Sequence, residues 1–111
     1  MSLTFYEAEQ KYANFRAFLE SELECTLPAM NYVSFMRAYA LFVLPNHEHI
    51  VSRDIAQLQD TCNLQKLLNT DTDKHVYDTL SLRLQGGSED FIDRFWRYME
   101  LFAVLATEKI F

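Results

Sequence analysis

Glycine and proline are nearly missing from this chain of 111 residues, which has two of each. The glycines are neighbours, Gly86 and Gly87, so a glycine-rich phosphate loop, a dinucleotide fingerprint and a Gly-x-Ser-x-Gly elbow are all impossible. So little punctuation also argues against the many turns of an all-β sandwich. Cysteine is as sparse. Cys25 and Cys62 lie far apart with no Cys-x-x-Cys pattern, and positions 1–25 lack the charged-then-apolar layout of a signal peptide. Reduced thiols in a cytoplasmic setting are the expectation, and no disulfide is needed. Basic residues are outnumbered, ten against sixteen acidic, giving a formal charge of −6 that speaks against a nucleic-acid partner. The most apolar run, Leu27 to Leu44, contains Pro28, Asn31, Ser34 and Arg37. A mid-span arginine costs on the order of 3 kcal/mol in a bilayer, so no membrane span is expected.

What the chain does have is hydrophobic side chains at helical spacing. Half the residues are hydrophobic, including nine Phe, six Tyr and one Trp. The fold class read from this pattern is all-α, a compact bundle of about five helices in a single domain over 1–111. The first helix, roughly 4–24, opens with the capping box Thr4-Phe5-Tyr6-Glu7 and carries the stripe Phe5, Ala8, Tyr12, Phe15, Leu19 and Leu23. The second, 28–44, starts at Pro28 and is apolar nearly all round, as suits the middle of a bundle. The third spans 48–69 with Ile50, Val51, Ile55, Leu58 and Cys62 facing inward. Ser52-Arg53-Asp54 could act as a second cap that breaks it in two, and Asp60 to Asn63 weaken its far end. A shorter helix over 73–85 follows the turn-prone run Asn69 to Asp73 and stops at Gly86-Gly87. Ser88 caps the last helix, 89–110, whose apolar face covers half its circumference. There is no internal repeat and no sustained heptad.

Motifs for chemistry are weak. His47-Glu48-His49 offers metal-ligand residue types beside a turn, but the zincin pattern needs His-Glu-x-x-His, and residues two apart on a helix diverge by roughly 200°. His75 lies in another segment, so a joint site with His47 and His49 has no support from spacing. Asp71-Thr72-Asp73 resembles a calcium-loop opening, yet its sixth and twelfth positions are Val76 and Leu82 instead of Gly and Glu. Neither cysteine has a basic neighbour to lower its pKa. No Glu-x-x-His pair is present for a di-iron centre. The expectation is no catalytic residue and no cofactor.

Three features break the local rules. Arg37 is the sole charge across about nineteen residues of helix and flanking turn, a place for snorkelling, an internal ion pair or a partner contact. Glu20, Glu22 and Glu24 crowd a helix C-terminus, where the dipole disfavours negative charge by several tenths of a kcal/mol each, a place for a solvated acidic face, a basic partner or pairing with arginines elsewhere in the fold. The aromatics, with Trp96 on the last helix and Tyr6 opposite the first stripe, exceed what one small core is expected to enclose. The pattern also runs apolar to Ile110-Phe111, which suits a docked end or a domain excised from a longer protein. Together these point to a small acidic protein–protein interaction module, an adaptor, inhibitor or immunity-type regulator, that binds through Arg37, Glu20, Glu22, Glu24 and Trp96. Its expected partner is a basic protein or a second copy in a homodimer. The alternative is a ligand- or metal-binding regulatory bundle using His47, His49 and His75.

Overall fold

The computed structural model describes residues 3–111. Among these the fold is all-α, with seven helices where about five were expected. They are α1 Phe5–Leu23, α2 Tyr32–Ala38, α3 Glu48–Val51, α4 Ile55–Asp60, α5 Leu64–Leu67, α6 Lys74–Gly86 and α7 Glu89–Thr107. No helix among the described residues is long and apolar enough to cross a membrane.

The start of α1 is as its sequence requires. Thr4 Oγ1 accepts from the Glu7 N–H at 3.1 Å, and Glu7 Oε1 accepts from the Thr4 N–H at 3.2 Å. Ser88 likewise accepts from the Phe91 N–H and opens α7. The second helix departs from expectation at both ends. Pro28 does not start it; Asn31 does, by accepting from the Ser34 N–H at 2.8 Å. Residues ahead of Asn31 form an irregular connection tied to α1 by side chains. Arg16 donates to the carbonyls of Leu27 and Pro28, Tyr12 donates from its hydroxyl to Met30, and Glu20 accepts from the Leu27 N–H. Those bonds satisfy backbone groups that a helix would otherwise have paired. At its far end α2 widens into a π turn over Tyr39–Val43 and tightens into a 3₁₀ turn over Leu44–Asn46. Asn46 donates its side-chain amide to the Phe42 carbonyl, one of the groups a helix end leaves without a partner.

The expected third helix is divided into α3, α4 and α5. Asp54 and Asn63 each supply an N-cap oxygen, and Arg53 and Asn63 adopt left-handed φ of 54° and 50° that end the preceding turns. Two capping side chains inside one apolar stripe outweigh the periodicity there. The division also turns Val51, expected inside, out to 69% exposure. Phe5 too is turned outward, to 46%, although its ring still meets Tyr32 edge-on.

α1 and α7 run antiparallel, since Tyr12 meets Phe102, Phe15 meets Tyr98 and Phe18 meets Phe91. Phe35 and Tyr39 from α2 and its π turn close on the same cluster, and Phe102 touches the rings of Tyr12, Phe15, Phe35, Tyr39 and Tyr98. Tyr32, Phe35 and Tyr39 are buried, so the aromatic surplus expected to spill onto a surface is mostly enclosed. Buried tyrosines need a partner for the hydroxyl. Tyr39 donates to the Met99 carbonyl at 2.6 Å, and Tyr32 donates to the Ile110 carbonyl, which holds the half-buried Ile110–Phe111 end against the core.

Candidate functional site

The residues expected to bind a partner do not form one surface. Glu20 is used inside the fold, capping the Leu27 N–H at 2.9 Å. Glu22 is an ion-pair partner of Arg83 at 2.8 Å; the same guanidinium donates to the Glu22 carbonyl and lies 4.8 Å from the Phe91 ring centroid. Glu24 is exposed and ends α1 with φ 51°. The crowding of carboxylates at the end of α1 thus has a structural explanation for Glu20 and Glu22. A cation from α6 and a loop N–H offset the dipole. Trp96, at 1% exposure, is a core residue packed edge-on against Phe95 and is not offered to a partner. Arg37 is exposed on α2, and its side chain makes no ion pair or hydrogen bond to a described residue.

The histidines are also dispersed. His47 is exposed after the 3₁₀ turn, His49 is partly buried with Nε2 3.9 Å from Glu48 Oε1, and His75 is exposed in the first turn of α6. Among the described residues no group of three His, Cys, Asp or Glu side chains is placed to hold a metal ion.

The thiols are poor nucleophiles. Burial raises the Cys25 pKa above its ordinary value, with Glu20 and Asp73 adding repulsion, and burial raises that of Cys62. Both therefore stay protonated at neutral pH. Ellman's reagent at pH 8 should modify one thiol per native chain, the half-buried Cys25, and reach Cys62 only as the chain unfolds. Rapid release of two equivalents without denaturant would contradict this burial.

What the structure adds is a groove of about 640 Å³ between the C-terminal half of α7 and the segment that follows α2. Its apolar wall is Leu44, Val51, Ala103 and Val104. Val51 and Val104 are 69% and 53% exposed, too much for core residues on two different helices that meet at one cleft. Glu100, Glu108 and the His47 ring complete its lining; no described lysine or arginine lines it. Arg53, held at its left-handed φ, lies beside α7 and pairs with Asp93 at 3.1 Å and with Glu100 at 3.7 Å. Asp93 in turn pairs with Arg97 at 2.8 Å. The groove draws on two stretches of chain about fifty residues apart, 44–51 and 100–108, and periodicity alone gives no sign of it. Its local signals were the capping run Ser52-Arg53-Asp54 and a valine at position 104 outside the apolar face of α7. Comparison of the chain with protein-family models, curated proteins and solved structures returned no match.

Proposed function

We propose that this protein is an interaction module whose docking face is the groove between α7 and the 44–51 segment, and that it takes a cationic amphipathic helix from a protein partner. The observation that carries this reading is the pair of exposed valines, Val51 and Val104, on one cleft that Glu100 and Glu108 also line and that no described lysine or arginine lines. A helix laid in such a cleft buries apolar anchors at i, i+3, i+4 and i+7 and brings its flanking lysines to the carboxylates. The formal charge of −6 favours the same class of partner at longer range. The acidic contact is thereby assigned to α7 and not to the end of α1.

The test uses two 18-residue model helices of identical spacing, one of leucine and lysine, the other of leucine and glutamate. The lysine helix should bind the native chain saturably, and the glutamate helix should not. Val104→Gln, which removes an anchor without adding charge, should weaken binding about tenfold, the equivalent of roughly 1.4 kcal/mol. Leu82→Gln, on the 71%-exposed position of α6, should leave it unchanged. Equal binding of both peptides, or binding indifferent to Val104, would refute the assignment.

A further inference from the structure

The opposite flank of α7 carries charge of the other sign. A second groove, about 280 Å³, runs between α1 and α7 and is lined by Lys11 and Asn14 from the first helix and by Arg94, Arg97, Tyr98 and Leu101 from the last. No carboxylate lines it, in a chain whose acidic residues outnumber its basic ones. The convergence follows from register. Lys11 and Asn14 are three apart on α1, the α7 residues recur at steps of three and four, and antiparallel packing sets the two stripes side by side.

The cations are placed but not used up. Arg94 lies over the Phe18 ring at 4.5 Å from its centroid, with a loose contact of 3.8 Å to Asp90. Arg97 is anchored through Nε to Asp93 at 2.8 Å, and no described residue accepts from its terminal amino groups. Lys11 has no ion pair to a described residue. Asp90 and Asp93 each belong to the preceding turn of α7, so they steady the arginines without closing the groove. Stacking and anchoring lower the entropy that a free arginine would lose on gripping a ligand.

We propose that the α1–α7 groove is a binding site for a phosphomonoester, with Lys11, Arg94 and Arg97 on the dianionic phosphate. Two guanidinium forks and an ammonium match three terminal oxygens and two negative charges, whereas a carboxylate would use one fork alone. The Tyr98 ring and Leu101 give the organic part of the ester an apolar contact, and the Asn14 amide gives it a hydrogen-bonding one. A free phosphorylated metabolite and a phosphorylated side chain of another protein present this same group.

The experiment is a titration of the ¹⁵N-labelled full chain with phenyl phosphate, benzoate, sulfate, phosphoserine and a nine-residue peptide bearing one phosphoserine. Phenyl phosphate should shift resonances of Lys11, Asn14, Arg94, Arg97 and Tyr98 saturably, at least tenfold more tightly than benzoate or sulfate. Arg97→Gln and Lys11→Met should each weaken it by about tenfold, whereas Lys74→Gln on α6 should not. Tighter binding of the phosphopeptide than of phosphoserine makes the source a phosphoprotein; the reverse order makes it a small metabolite. Shifts scattered over all lysines and arginines, equal affinity for phenyl phosphate and benzoate, or an Arg97→Gln chain that binds normally would each overturn the proposal. Because the probes and variants differ from those for the apolar groove, either site can fail alone.

Discussion

Replacing Phe102 with alanine should lower the unfolding free energy by about 3–5 kcal/mol, the usual range for a fully buried Phe→Ala change. Phe102 is 0% exposed and its ring centroid lies 4.8 Å from Phe35 and 5.1 Å from Phe15, with Tyr12, Tyr39 and Tyr98 completing the shell. Truncation removes the transfer energy of the ring and leaves a cavity walled by rigid aromatics from three helices, which cannot collapse as flexible aliphatics would. At roughly 4–6 °C per kcal/mol for a domain of this size, the midpoint should fall by on the order of 15 °C or more in a thermal melt followed at 222 nm. Phe102→Leu should recover about half of the loss. A fall of only a few degrees in Phe102→Ala would mean that this aromatic cluster is not the centre of the core.

The adjacent glycines should respond oppositely to the same substitution. A Cβ at Gly87 would stand 2.4 Å from the Arg83 carbonyl oxygen, a backbone atom that cannot rotate away, whereas a Cβ at Gly86 meets nothing within 4 Å. The Gly87 N–H donates to that same carbonyl at 2.8 Å, so relieving the clash also disturbs the bond that ends α6. Gly87→Ala is therefore expected to cost about 1–3 kcal/mol, in the range of overpacking a tight site. Gly86→Ala, at the last residue of α6 with no steric cost, should be neutral or stabilising by up to about 1 kcal/mol. Urea titrations of the two single variants test the contrast. A Gly87→Ala chain as stable as the native one would mean that the α6–α7 junction yields more easily than its geometry implies.

The parts of this fold that were legible in the sequence are those decided by neighbours in the chain. Thr4 with Glu7, Ser88, and the Gly86-Gly87 stop each act within four residues, and they stand where the sequence put them. The misread parts were decided from far away. Pro28 reads as a helix start, but Arg16, Tyr12 and Glu20 hold residues 27–30 in an irregular path by bonds from α1. The cluster Glu20, Glu22 and Glu24 reads equally as a partner surface or as mates for distant arginines, because Arg83, 61 positions after Glu22, is invisible to any local rule. Trp96 reads as surplus since helical periodicity gives the direction of a side chain without telling how many neighbours surround it. The 48–69 segment was a contest between a stripe and its internal caps. Both were visible, and only packing could decide between them. That decision exposes Val51 and so creates the larger groove.

The π turn at Tyr39–Val43 has a consequence for the permissible length of the chain. Such a turn accommodates one residue more than an α turn covering the same advance, with the flanking segments kept in phase. Leu41, at its middle, is 67% exposed, while Tyr39 and Val43 on either side are fully buried. Losing Leu41 would shorten the span of the Leu44 N–H bond to the Tyr39 carbonyl from five residues to the four of an ordinary α-helix. It would leave Tyr39 and Val43, then three apart, still on one face. Along the aromatic heart of this protein, that is a spot where a single-codon deletion can be absorbed as a regularised helix instead of a scrambled one.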